Sequence, residues 1–574
     1  MHLLFILRMN ALLNGNPTLS TLLKQSVEKF GNRPSLGFTG EETQTYSELG
    51  NKVSRVASYL KQNGVGPGDR VALLSENCPN WGAAYFAITS IKAIVVPILN
   101  DFHPSEIQHI LRHSGACALI VSEKLYHKVE DFDLKKLNAV VLIDNFSVIS
   151  PDWGRDRLRQ LYADGSRELQ RIRHMALEKS GYGAETITKD DPASIIYTSG
   201  TTGHSKGVML THGNVVSNAL ATLQIVPVTQ NDRLLSILPL PHVYECTLGL
   251  ILPLLAGASV SYVRKPPTAA VLIPALKEVR PTVMLSVPLI IEKMYKARIL
   301  PEIRKKKVLH AAYQIPFLRK AINRKAGKKL MDTFGGELTS FCIGGASLAP
   351  DVEKFLREAK FPYAIGYGLT ETSPLVTGTH PSKSRMQSAG VPLPGVEVRI
   401  DRTDGTKGDG EILVRSPGVM KGYYNDAALT AEVLDDEGWF RTGDLGNFDK
   451  DGYLYIRGRL KNMILGPSGE NIYPEAIESV LHRSEYVMES LVFRQAGKLV
   501  ARVHLNYEKI DEDFPGLGQA DIRRQISSIL KTIKEETNDS VSSFSRLAEV
   551  LEQTEPFEKT PTQKIKRYLY APRE

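Results

Sequence analysis

Residues 197–208 read Tyr197-Thr198-Ser199-Gly200-Thr201-Thr202-Gly203-His204-Ser205-Lys206-Gly207-Val208, which puts three glycines, five Ser/Thr hydroxyls and one lysine in one short stretch. This chemistry suits a phosphate. Glycines let backbone N–H groups approach an anion closely, and hydroxyls add further donors. Lys206 contributes a compact positive charge for phosphate oxygens. The common ATPase phosphate loop needs Gly immediately before its lysine and Ser/Thr immediately after. Here Ser205 precedes Lys206 and Gly207 follows it, so this is a different loop. The plainer alternative is a flexible polar turn.

Further stretches carry polar groups in turns. Ala364-Ile365-Gly366-Tyr367-Gly368-Leu369-Thr370-Glu371 sets a flat ring between two glycines and follows it with a hydroxyl and a carboxylate. The Tyr367 ring suits stacking on a base, Thr370 a phosphate, and Glu371 a Mg²⁺ ion beside it. Gly438 to Gly446 holds Asp444 in a glycine-flanked turn, where a carboxylate can accept both hydrogens of a ribose diol. The alternative is an Asp that shapes its own turn. Taken alone, a lysine in the basic tail after Lys559 is an ordinary solvated charge, and His242 an ordinary core histidine.

In chain order these stretches resemble the acyl-adenylate-forming superfamily of acyl-CoA synthetases, peptide-synthetase adenylation domains and luciferases. The matching motif groups span residues 198–567, and the N-terminal region fits too. The resemblance assigns Thr198, Ser199, Gly200, Thr201, Thr202, Gly203 and Lys206 to the ATP phosphates. The family usually has Pro where this chain has Ser205. Gly344-Gly345-Ala346-Ser347-Leu348 resembles the adenine-side loop, which assigns Gly345 and Ala346 to the nucleotide. Tyr367 and Gly368 fall at the adenine, Thr370 at the phosphates, Glu371 at the metal, Asp444 at the ribose and Arg459 at the nucleotide. Lys461 falls at the domain hinge. Gly466, Gly469 and Glu470 lie in the loop that swings in for coenzyme A. Lys564 matches the catalytic lysine. The family commonly has Gly where this chain has Gln563, so Lys566 is the alternative register.

The resemblance implies a two-step reaction that uses ATP, Mg²⁺ and coenzyme A. A carboxylate is a poor electrophile because its leaving group would be oxide. Transfer of AMP makes a mixed anhydride, and the charge on the departing pyrophosphate is stabilised by metal, loop donors and Lys206. Lys564 is expected to clamp the carboxylate and α-phosphate oxygens. Thiol attack then follows a rotation of the small domain. Leu238 to Glu245, Arg280 to Pro288 and Gly466 to Asn471 resemble the long-chain fatty acyl-CoA synthetase versions of their motifs, with His242 at the mouth of the acyl pocket. Three other readings stand beside this one: a fatty acyl-AMP ligase that loads a carrier protein, an aryl-acid CoA ligase, and a non-catalytic scaffold. Retention of Lys206, Glu371, Asp444, Arg459 and Lys564 argues against the last.

The elements that position these residues follow from patterning. Residues 44–150 alternate helical and strand-like pieces, including helical spacing from Tyr46 to Asn63 and strands at Arg70–Leu74 and Ala118–Val121. The fold class expected is α/β. Parallel sheets covered by helices form a large N-terminal domain, residues 1–460, with a β-rich, glycine-punctuated subdomain at 388–460. A small mobile α+β domain occupies 461–574. At 574 residues the chain is too long for one core.

Four cysteines without metal-type spacing point to reduced core thiols and a cytoplasmic protein. The apolar start Met1 to Leu7 lacks a basic flank and a cleavage site, so no export signal is expected, and Met9 is an alternative start. Cys246 to Val263 carries no charge but holds Pro253 and two glycines, and is expected to be core, not a membrane span. Between Lys296 and Lys329 there are twelve Lys/Arg against one acid, Glu302, with apolar residues interleaved. Such a segment suits peripheral contact with an anionic membrane, or a solvated helical face. No nucleic-acid motif accompanies it.

Overall fold

The structure, a computed structural model, describes residues 16–149, 186–199, 205–305, 307–402, 408–465, 471–516, 518–560 and 565–571. Over residues 44–149 the expected alternation is present. Arg70–Leu74 and Ala118–Val121 are strands with the expected bounds, joined in parallel with Ile94–Ile98 and Ala139–Leu142. Parallel neighbours need crossover connections, and the helices Pro79–Ser90 and Pro104–Ser114 provide two of them. The helix Tyr46–Gln62 opens on a capping box in which Thr45 and Glu48 each satisfy the other's backbone N–H.

The helix Pro79–Ser90 has no polar face, and every residue from Trp81 to Ser90 is buried. A helix that is apolar all round needs neighbours on all sides. It has them, because it touches Pro34–Phe38 of one large sheet and Arg70–Leu74 and Ile94–Ile98 of the other. The second seven-stranded sheet runs in the order Tyr363–Ile365, Ser340–Ile343, Val283–Ser286, Arg233–Ser236, Ser259–Tyr262, Pro34–Phe38, Gln44–Thr45. All its pairings are parallel except the last, at the edge.

The first sheet is mixed at one side. Pro192–Ser199 runs parallel to Ile94–Ile98, but Ser205–Thr211 returns antiparallel and Gly422–Tyr423 pairs antiparallel beyond it. A short connection cannot make a parallel crossover, so the phosphate-loop candidate is the connection of a hairpin. The helix His212–Leu223 follows, with Thr211 as its cap.

Cys246 to Val263 is core, as expected. It forms two short helical segments and the strand Ser259–Tyr262, and among the described residues no helix is long and apolar enough to cross a membrane. Burial pushes the thiols of Cys78 and Cys117 up to about 11 and those of Cys246 and Cys342 up to about 12. They are therefore packing groups at neutral pH, not nucleophiles.

Residues 388–460 contribute to two small antiparallel sheets. One contains Tyr367–Gly368, Leu375–Gly378 and Val391–Pro392, and the other Glu397–Asp401, Gly410–Arg415, Phe440–Phe448 and Leu454–Arg459. Val376, Ile412, Val414 and Leu454 form one core between them. After Asn462 the chain builds a separate core, including Ile477, Leu481, Ala501, Val503 and Ile533, between the sheet Val487–Gln495, Lys498–Leu505, Glu549–Glu552 and the helices Pro474–Leu481 and Gln519–Ser540.

Candidate active site

Four of the sequence motifs leave the carboxyl ends of four adjacent parallel strands. Arg233–Ser236 leads into Leu238 to Glu245, Val283–Ser286 into Val287-Pro288, Ser340–Ile343 into Gly344 to Leu348, and Tyr363–Ile365 into Gly366 to Glu371. In open α/β sheets this is the edge where ligands bind. The loops touch one another there. The Tyr244 hydroxyl donates to the Cys342 carbonyl at 3.0 Å, and its backbone N–H donates to His242 Nδ1 at 3.3 Å. A Cβ on Gly344 would lie 3.2 Å from the Tyr244 ring, so the glycine allows this approach. Gly345 and Ala346, next in the chain, are exposed at the mouth, and Gly345 takes φ +86. Gly368 is equally constrained, since a Cβ there would sit 1.9 Å from the Pro374 carbonyl oxygen.

The expected ribose and adenine residues meet. The Tyr367 hydroxyl donates to Asp444 Oδ2 at 2.7 Å, and Arg459 Nε lies 2.9 Å from Asp444 Oδ1. Asp444 and Arg459 are register partners on the strands Phe440–Phe448 and Leu454–Arg459, where directly opposed side chains pair. The Asp444 backbone N–H donates to Thr442 Oγ1 at 3.0 Å, and Thr442 Oγ1 donates to the Ile412 carbonyl at 2.7 Å. Asp444 is only 5% exposed. Desolvation and the neighbouring carboxylate push the Tyr367 phenol well above its ordinary value, so it stays a donor. Two carboxylate oxygens offer about four lone-pair sites, so Asp444 can accept a diol as well as its present partners.

Two residues expected at the phosphates and metal, Lys206 and Glu371, gather around one that the sequence reading missed, Tyr423. Its hydroxyl donates to Glu371 Oε1 at 2.9 Å, and Lys206 Nζ lies 4.8 Å from its ring centroid. Tyr423 reaches this place because it pairs with Val208 on the strand that carries Lys206. Glu371 sits in the single turn Thr370–Thr372, and Thr370 opens that turn. Burial, then the Glu371 charge, pushes the Tyr423 phenol far up, which keeps its proton on. The local signal in sequence is the aromatic pair Tyr423-Tyr424 directly after Gly422.

Thr198 faces Lys206 across the hairpin, and Ser199 faces Ser205. Gly200, Thr201, Thr202 and Gly203 lie outside the described residues, as do Gly466, Gly469, Glu470 and Lys564. Their neighbours are described. Ile464–Leu465 pairs with Asn471–Ile472 on either side of the coenzyme A loop candidate, and Lys559 bridges Ile565 on either side of Lys564. Lys566 Nζ lies 3.6 Å from Glu558, an exposed pairing. Lys461 is exposed in the turn Leu460–Asn462, directly after Arg459.

Among the described residues no group of three or more His, Cys, Asp or Glu could hold a metal by itself. A single carboxylate fits a Mg²⁺ ion carried mainly by phosphate oxygens, which is how that ion is usually bound beside nucleotides.

Glu245 was named only as part of its motif. It is 1% exposed, accepts from Ser236 Oγ at 2.6 Å, and is pushed up to about 8 by burial. It is therefore a neutral acid beneath the loop that carries His242.

The family described as AMP-binding enzyme matches residues 23–424. The chain is similar to long-chain-fatty-acid–CoA ligase 6 of Mus musculus, at 30% identity over 518 residues, covering 83% of this chain and 71% of that protein. It is similar to the long-chain-fatty-acid–CoA ligase FadD15 of Mycobacterium bovis, at 30% identity over 486 residues, 79% of this chain and 76% of that one. In fold it resembles the solved o-succinylbenzoate coenzyme A synthetase of Bacillus subtilis in complex with ATP and magnesium ion, with a TM-score of 0.70, 22% identity, and coverage of 95% and 98%.

Proposed function

The chain belongs to the AMP-binding enzyme family, and we propose that it activates a long-chain fatty acid with ATP and passes the acyl group to coenzyme A. The coarse activity is that of an AMP-forming acid–CoA ligase. The observation that carries the reading is the pair of linked clusters, Tyr367–Asp444–Arg459 and Lys206–Tyr423–Glu371. One offers a diol acceptor held in orientation, and the other a phosphate cation and a metal carboxylate joined by one phenol.

In this reading Asp444 accepts the ribose hydroxyls while Tyr367 and Gly368 border the adenine with Gly345 and Ala346. Thr198, Ser199, Thr370, Lys206 and the loop Gly200 to Gly203 donate to the phosphates. Glu371 would hold a Mg²⁺ ion beside the phosphates, and the ion would supply Lewis-acid stabilisation of the departing pyrophosphate. The fatty carboxylate attacks the α-phosphorus, and Lys564 bridges the attacking and phosphate oxygens without forming a bond. The small domain, residues 461–574, then turns about Lys461, which brings Gly466, Gly469 and Glu470 inward for thiol attack. The exposed turn at Lys461 and the separate core after Asn462 support a hinge there. The unpaired thiols fit a cytoplasmic setting.

The motifs at Leu238 to Glu245, Arg280 to Pro288 and Gly466 to Asn471, and the similarity to long-chain-fatty-acid–CoA ligases, favour a fatty acid. Pyrophosphate release over saturated acids of increasing length and an aryl panel, with and without coenzyme A, tests the choice. Release with long acids together with acyl-CoA is expected. Preference for benzoate-type acids would give the aryl reading, and acyl-AMP without acyl-CoA would give the carrier-protein reading.

A further inference from the structure

The helix Pro316–Thr333 has two unlike faces. Its inner face buries Asn323, Gly327 and Leu330. Gly327 sits so close to Ala359 that a Cβ would lie 2.7 Å from the Ala359 carbonyl, which seats the helix against Pro350–Glu358. Its outer face is exposed. Phe317, Lys320, Arg324 and Lys328 form one stripe at helical spacing, with Lys325 and Lys329 beside it. From the neighbouring helix and its exit, exposed Lys354, Arg357 and Lys360 continue the basic surface, and with Lys320 and Arg324 they line an open cleft of about 530 Å³.

Few acids offset these charges. Glu358, in the cleft, is engaged by Arg319 at 3.1 Å and by Asn323 at 2.8 Å, and Asp332 is exposed at the far end of the helix. Two other cations of the segment are engaged by the C-terminal unit. Lys296 donates to the His482 carbonyl, and Arg304 pairs with Glu485 at 2.8 Å, so both are held against the C-terminal unit. The basic surface also extends past the span read in sequence, taking in Lys354, Arg357 and Lys360.

Large apolar side chains stand at the same end. Val308 is 84% exposed, Phe317 70% and Ile315 43%. A face that is only solvated has no use for an exposed phenylalanine within a lysine stripe. Cations beside exposed apolar groups suit the boundary between lipid headgroups and acyl chains.

We propose that this face docks the protein on an anionic lipid bilayer. Phe317, Val308 and Ile315 enter the headgroup–acyl boundary, and Lys320, Arg324 and Lys328 pair with lipid phosphates. The inference stands apart from the identity of the acid, because the binding it describes needs no turnover.

Flotation of the full chain with phosphatidylcholine vesicles, with and without phosphatidylglycerol, tests it over a salt series. Binding is expected only with phosphatidylglycerol, and it weakens as salt rises. The variant carrying Lys320→Glu, Arg324→Glu and Lys328→Glu is expected to lose on the order of a hundredfold in vesicle affinity. Phe317→Ser is expected to lose roughly tenfold, with the salt slope retained. Unfolding midpoints equal to that of the parent establish that the variants fold, and Phe317→Ser with Lys325→Glu serves if the triple variant does not. Equal binding to neutral vesicles, or undiminished binding by folded variants, overturns the proposal. So does binding of inositol hexakisphosphate that these variants abolish while no vesicle is bound, which would make the cleft a soluble polyphosphate site.

Discussion

The two clusters of the candidate site are held by different means. On the ribose side Asp444 and Arg459 are register partners on long paired strands, and Tyr367 closes on them at 2.7 Å. On the phosphate side Glu371 stands in a single turn, and Tyr423 on a two-residue strand. The ribose side joins opposite charges directly. The phosphate side sets a phenol against both, the ring toward Lys206 and the hydroxyl toward Glu371. A diol is neutral and needs an acceptor that is already oriented. In the proposed reaction phosphates and their metal bring charge of both signs, so a lysine and a carboxylate would serve best with each turned toward the ligand.

The comparison is tested first at Lys564, which belongs to neither cluster. Lys564→Ala is expected to slow adenylate formation by about a thousandfold while leaving thioester formation from supplied acyl-AMP nearly intact. Equal loss in both half-reactions, measured by pyrophosphate release and by coenzyme A consumption, would remove the clamp role. Asp444→Ala comes next. It deletes the diol acceptor and leaves Arg459 and Tyr367 without their partner, so ATP affinity is expected to fall about a hundredfold, read by nucleotide titration.

Glu245 lies outside the comparison and gives a pH test. Burial holds its carboxyl up to about 8, against an ordinary 4.5. Between those values the native state keeps a proton that the unfolded chain has lost, so stability falls as pH rises through the window and is level outside it. Glu245→Gln removes this titration. Its unfolding free energy is expected to be flat across the window and higher than the parent's at the alkaline end, by up to about 5 kcal/mol. A parent profile that is already flat would contradict the buried neutral acid.

Tyr423→Phe is the smallest change and the sharpest test of the comparison. It keeps the ring under Lys206 and removes only the hydroxyl on Glu371. Adenylation is expected to slow about tenfold, with a raised Mg²⁺ requirement and unchanged adenosine affinity. An equal loss of adenosine affinity would mean that the two clusters are one.

Much of this was legible in the chain. The strands Arg70–Leu74 and Ala118–Val121 matched their expected bounds because short continuous apolar runs bounded by turns are local signals. Glu371 and Asp444 were marked by glycines that shape their turns. Tyr423 was not, because its role comes from pairing with Val208, far away in sequence. The antiparallel return of Ser205–Thr211 was also hidden, since an apolar run does not state its direction. The engagement of Lys296 and Arg304 by the C-terminal unit depends on where that unit packs, which no local pattern encodes.

The central claim is acid activation at the Asp444 and Glu371 clusters. Its most direct measurement is acid-dependent exchange of labelled pyrophosphate into ATP, in the absence of coenzyme A. The account predicts exchange with a long-chain fatty acid that Asp444→Ala and Glu371→Gln each reduce severely. Exchange that both variants retain in full would contradict it.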